Sequence, residues 1–93
     1  MTIGAVYIDL RIPDSRSLKQ KRRVMKSLKE RLRNRYNCSV AEIDHKDLWG
    51  RGKIAACVVS DDSRHVQSQL TEIVRFASNV AGAELIDYEI ELL

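Results

Sequence analysis

Nine of the sixteen Lys and Arg residues of this chain fall between Leu18 and Tyr36, where the only acid is Glu30. Nine cations against one acid give that segment +8 and leave −5 for the rest of a chain whose total is +3. A row of cations on one rigid element attracts polyanions and contributes nothing to folding by itself. Like charges also recur four residues apart, at Lys19/Arg23, Arg22/Lys26 and Lys29/Arg33. On a helix each such pair costs a few tenths of a kcal/mol, so a face selected only for solubility would mix its signs. The chemistry implied is neutralisation of phosphates, with Lys19, Arg22, Arg23, Lys26, Lys29 and Arg33 as the contacting side chains.

The other reactive residue types are sparse. Trp49 is the sole tryptophan and lies in a loop with Arg51 and Lys53 close by, where it either stacks on an unpaired base or covers an edge of the core. His45 and His65 fall on a strand end and a helix start, and Asp44, His45 and Asp47 lack a fourth ligand, so no metal site or cofactor is expected. The two cysteines, Cys38 and Cys57, sit in apolar runs and read as small hydrophobes rather than a disulfide. The loop Pro13–Asp14–Ser15–Arg16–Ser17 contains no glycine, and no Asn occurs in the second strand, so the phosphate cradle of an acylphosphatase is missing. A non-enzymatic role follows.

The elements that must position these groups are legible from periodicity. Residues 3 to 12 alternate, with Val6, Ile8, Leu10 and Ile12 on one face, and Pro13 closes the strand. Ser17 and Gln20 have capping-box spacing, which starts a helix at Leu18 and runs it to Asn37. Leu18, Val24, Met25, Leu28, Leu32 and Tyr36 form its apolar arc, while the six named cations share an arc roughly 120° wide on the outside. Cys38 to Lys46 and Lys53 to Ser60 read as strands joined by a turn over 47–52. Asp61, Asp62 and Ser63 open a second helix that stops near Gly82, and residues 83 to 92 alternate as a last strand.

The order βαββαβ is the ferredoxin-like split βαβ pattern, an α+β fold. Right-handed crossovers turn it into a four-stranded antiparallel sheet of order 4-1-3-2, with both helices on one face. In that topology the loop 13–17, the start of the basic helix and the loop 47–52 leave at one end, so Arg16, Lys19, Arg22, Arg23, Trp49 and Arg51 are expected to form one basic, partly aromatic surface. Base stacking on the open sheet face is not expected, because the third strand offers no aromatic residue and the last strand puts Asp87 and Glu89 beside Tyr7. The third strand is apolar on both faces, so whichever of the sets Ala55/Cys57/Val59 and Ile54/Ala56/Val58 faces outward leaves apolar area next to Ala5 and Tyr7, which is either a small tolerated patch or the interface of a homodimer.

Ninety-three residues, 44% hydrophobic and 31% charged with one proline, suit a single domain spanning 1–93. No apolar run approaches the roughly 20 residues that span a bilayer, and the apolar side of the basic helix is needed by the core. A soluble, cytoplasmic protein without membrane attachment is expected.

The segments Ser17–Leu18–Lys19–Gln20–Lys21–Arg22–Arg23, Ser39–Val40–Ala41–Glu42–Ile43–Asp44–His45 and Asp47–Leu48–Trp49 resemble the YlxP-like family of small bacterial proteins of unknown function, over essentially the whole chain. The resemblance implies a ferredoxin-like fold and, because such proteins are often labelled ribosome-binding-factor-like, an association with translation. Charge and resemblance together lead to an expected function: an RNA-binding protein contacting ribosomal RNA or a ribosomal subunit during its maturation. The contacts would be Arg16, Lys19, Arg22, Arg23, Lys26, Lys29, Arg33, Trp49 and Arg51. The alternative is a homo-oligomeric interaction module whose basic helix docks an acidic protein.

Overall fold

The computed structural model describes residues 1–93 and has the elements β1 (Thr2–Arg11), α1 (Leu18–Arg35), β2 (Ser39–Asp44), β3 (Arg51–Ser60), α2 (Ser63–Ser78) and β4 (Glu84–Leu92) in that order. The four strands form one antiparallel sheet of order β2-β3-β1-β4, the expected order read from the other edge. The central pair β1 and β3 is in register over its full length, from Thr2 opposite Ser60 to Arg11 opposite Arg51. The alternating apolar set of β1 is turned to the helices as its period of two requires, and Val6, Ile8, Leu10 and Ile12 are all buried.

α1 begins where its capping signal places it. Ser17 Oγ accepts from the Gln20 amide at 3.1 Å, while the Gln20 side chain reaches back to the Arg16 amide, one residue beyond the usual partner. The helix ends at Arg35 rather than Asn37, because Tyr36 already has extended backbone dihedrals (φ −128°, ψ 149°). α2 is capped by Asp62, whose carboxylate accepts from the Arg64 amide, and it ends at Ser78, four residues before Gly82. Gly82 takes φ +86° in the turn into β4, a region that glycine occupies at little steric cost.

The core is one cluster built from the inner faces of β1 and β3 and the apolar stripes of both helices, including Met25, Leu28, Leu32, Val66, Leu70 and Ile73. Two glycines let the helices sit close to the sheet. A Cβ on Gly4 would stand 2.6 Å from a Val66 methyl and 2.7 Å from a Leu70 methyl of α2. A Cβ on Gly52 would stand 2.7 Å from Sδ and Cε of Met25 on α1.

Two features of the packing are not given by periodicity along the chain. The inward row of the last strand is half exposed: Tyr88 and Ile90 lie opposite Ile8 and Val6, on the helix side, yet are 50% and 39% accessible. β4 is the outer strand and α2 packs chiefly over β1 and β3, so this edge extends beyond the helical layer. The buried arc of α1 also includes a cation, Lys21, which is completely inaccessible alongside Met25, Leu28 and Leu32. No helix is long and apolar enough to cross a membrane.

Candidate nucleic-acid interface

With 18 residues at about 1.5 Å each, α1 is a rod of roughly 27 Å. Its core-facing arc is occupied by Lys21, Met25, Leu28 and Leu32, which fixes where every other side chain of the helix projects. Of its nine cations only Lys21 meets a carboxylate, that of Glu42. The remaining ion pairs of the protein lie elsewhere, Arg11 with Glu84, Arg51 with Asp9 and Arg75 with Glu72, and the His45 ring stands 3.8 and 3.9 Å from the Asp9 and Asp44 carboxylates. Eight helix cations are thus left uncompensated.

Those eight divide by direction. Arg22, Lys29 and Arg33 lean toward β2, the edge strand, and with Lys46 they line a groove of about 380 Å³ floored by Val40 and Ala41. Arg33 Nη2 donates to the Val40 carbonyl at 2.9 Å, occupying an acceptor on that strand. The one acid in the groove, Glu42, is engaged by Lys21 from beneath, so the lining is cationic. Lys19, Arg23 and Lys26 stand exposed on the crown. Arg31 and Arg35 lean the other way, onto α2, with guanidinium carbons 5.1 and 5.3 Å from the centroid of the Phe76 ring.

Trp49 stands about half exposed at the N-terminal end of α1, on the wall of a second space of about 380 Å³ shared with Arg11, Pro13 and Arg16. The Gly50 carbonyl accepts from the Ile12 amide at 2.9 Å, which pins this loop to the end of β1. Arg11 is held by Glu84 through two donors, at 2.6 and 3.1 Å, and Arg16 is the cation there without an acid. The structure therefore brings Trp49 and Arg16 together beside the start of the basic helix. Arg51 is placed differently: its Nη2 donates to Asp9 Oδ1 at 3.0 Å across the β1–β3 pair, away from the cation row.

Three contributors were not singled out in the sequence. Lys46 joins the groove because β2 ends at Asp44 and the chain turns back there. Arg31 and Arg35 lie outside the 120° arc, and their role depends on Phe76, 41 residues beyond Arg35. Periodicity within one helix gives no signal for a partner on another. The histidines do not share a site, since His45 is at the end of β2 beside Asp9 and Asp44, and His65 is in the first turn of α2. On the open sheet face Tyr7 donates to Glu91 at 3.2 Å, and its phenol is pushed above its ordinary value of 10.0, chiefly by the Glu91 charge and by that hydrogen bond.

The fold is shared with two solved de novo designed proteins: Foldit4, at TM-score 0.51 and 17% identity over 98% of this chain and 96% of that one, and Ferredog-Diesel, at TM-score 0.50 and 16% identity over 96% and 83%. The uncharacterized protein YlxP of Bacillus subtilis (strain 168) is 32% identical over 82 residues, covering 88% of this chain and 89% of the relative. The family described as protein of unknown function DUF503 matches residues 3–90. This chain, with its cation-lined α1–β2 groove, is a member of the DUF503 family.

Proposed function

We propose that the protein binds RNA through the outer surface of α1, as a non-enzymatic factor acting on ribosomal RNA or a ribosomal subunit. The observation that carries this reading is that eight of nine cations on one helix have no carboxylate partner, while acids occur at Glu84, Asp87, Glu89 and Glu91 along the far edge strand. Keeping like charges adjacent on a helix is unfavourable, and a polyanion that binds there removes the repulsion. Phosphates along a strand suit a helical row whose members recur about every 5.4 Å. The ribosomal assignment rests on the family resemblance.

If four to six cations engage phosphates, affinity for ribosomal RNA falls with salt at a log–log slope of roughly −3 to −5. Combining Arg22→Glu, Lys26→Glu and Arg33→Glu abolishes binding. Sedimentation with ribosomal subunits at low salt and release at high salt is the expected cellular counterpart. Unaltered affinity in the triple variant would rule out α1 as the contact surface.

A second reading has its own support: Val59 and Cys57 are exposed on the open face, and Tyr88, Ile90 and Leu92 are exposed along the β4 edge. Both are surfaces on which a second copy could lie. Light scattering across a range of concentrations separates this self-associating module from the monomeric RNA binder.

A further inference from the structure

Seven of the eight unpaired cations of α1 fall into two rows, with Lys26 between them on the crown. One, through Arg22, Lys29 and Arg33, lines the β2 groove. The other follows the i,i+4 ridge Lys19, Arg23, Ser27, Arg31 and Arg35, which on a helix of 3.6 residues per turn rotates about 40° at each step and roughly 160° in all. That rotation carries the ridge from the exposed crown at Lys19 and Arg23 to the α2 side, where Arg31 and Arg35 meet Phe76. An aromatic group stands at each end. At the start are Trp49 and Arg16, sharing one open space. At the finish Phe76 carries two guanidiniums and meets Tyr36 edge-on, with centroids 6.2 Å apart and planes at 81°. Beside them is an open space of about 380 Å³ lined by Arg31, Asn34, Arg35 and Phe76.

We infer that this ridge is a track for a single-stranded segment of RNA, with unpaired bases seated at Trp49 and at the Arg31–Arg35–Phe76 cluster and phosphates lying along Lys19 and Arg23 between them. The inference rests on the RNA-binding reading and specifies the class of RNA. In a duplex the bases are stacked on one another and only backbone is presented, so both aromatic seats would be idle. An unpaired strand offers flat base faces, and both aromatic rings and guanidinium planes take them. From Lys19 to Arg35 the ridge rises roughly 24 Å along the helix axis and its winding path is somewhat longer, the reach of a few nucleotides and within the roughly 4–16 that single-strand binding folds cover. The uneven arrangement also has a physical sense. Stacking at the ends fixes where the strand begins and stops, and the flexible cations between tolerate any sequence.

The test compares an unstructured RNA of about ten nucleotides with a duplex of the same length at one low salt concentration, with polyglutamate as competitor. Single-strand affinity exceeds duplex affinity by about tenfold, and the fluorescence of Trp49, the only tryptophan, is quenched by the single strand alone. Trp49→Leu and Phe76→Leu each weaken single-strand binding by about tenfold and leave duplex binding unchanged. Arg35→Lys keeps the charge but removes the planar group, so it weakens the single strand without altering the salt slope, and this readout does not depend on replacing a core-packed ring. Equal affinity for the two RNAs, unchanged binding in all three variants, or displacement by polyglutamate as effective as by RNA overturns the track. If neither RNA binds at low salt, the RNA-binding reading fails as well.

Discussion

Lys21 Nζ, with no solvent exposure, donates to the Glu42 carboxylate and, at 2.9 Å, to the His45 carbonyl. One ammonium thus joins the first turns of α1 to the end of β2. The four-carbon stem fills a position that the core stripe would give to a leucine, and the head is satisfied at the top of the sheet. The contact ties α1 to the edge strand directly beside the groove that Arg22, Lys29 and Arg33 line.

Breaking that pair from one side leaves a buried charge without a partner. Glu42→Ala is expected to destabilise the fold by about 3–5 kcal/mol, while replacing both residues with apolar ones, Lys21→Met with Glu42→Leu, recovers most of the loss. Thermal unfolding followed by circular dichroism gives both values. A loss below about 1 kcal/mol for Glu42→Ala would mean that the ammonium finds water instead.

The two close-approach glycines should differ in tolerance. An added methyl at Gly4 meets branched side chains, Val66 and Leu70, and Val66 is stiff at χ1. At Gly52 the obstruction is the end of Met25, which has three rotatable bonds and can move aside. Gly4→Ala is therefore expected to cost about 2–3 kcal/mol and Gly52→Ala about 1, measured by denaturant unfolding. The reverse order would show that Met25 is held in place by its neighbours.

The thiols should label at different rates. Cys38 is partly buried beside the Leu32 carbonyl, and burial pushes its thiol above the ordinary 9.0 despite the opposing pull of Arg33, whereas Cys57 is exposed on the open sheet face. At pH 8 an aromatic disulfide reagent is expected to modify Cys57 first and Cys38 several-fold more slowly, and the gap narrows as pH rises and more Cys38 thiolate forms. Equal rates at pH 8 would contradict the burial of Cys38. Because that thiol loses its proton less readily in the folded chain, its contribution to stability is complete below about pH 9 and is lost as pH rises through the folded value.

His45 is the one non-glycine residue with a left-handed backbone, φ 61°, and its amide donates to Asp44 Oδ1 at 2.8 Å. This conformation presents its carbonyl to both Lys21 and the Leu48 amide. His45→Gly is expected to be within about 1 kcal/mol of the parent, and His45→Val to cost at least about 1 kcal/mol more, since a β-branched residue is poorly accommodated there. Comparison of melting temperatures decides between this backbone account and one in which the imidazole contact with Asp9 dominates, for which both variants lose equally.

Much of this architecture was legible in the residues alone. The period of two in β1, the Ser17 and Gln20 spacing and the apolar arc of α1 each specify a local structure with one good solution, and their order admits few topologies once crossovers are right-handed. The crowding of cations on α1 is likewise a property of spacing, and so is the exposure of Lys19, Arg23 and Lys26 on its crown, whereas Arg22, Lys29 and Arg33 turn to a groove that only the packing of β2 creates. Tertiary structure decided which charges remain available. Lys21 and Arg51 look in sequence like their neighbours, yet one is consumed by Glu42 and the other by Asp9, contacts made across the sheet and invisible to any window along the chain. It also decided that Phe76 meets Arg31 and Arg35, because only packing of α1 against α2 brings residues so far apart within reach. Periodicity fixes the side of an element on which a residue sits; the neighbour it finds there depends on how the elements are laid against one another, through glycines such as Gly4 and Gly52 and the length of each strand beyond its covering helix.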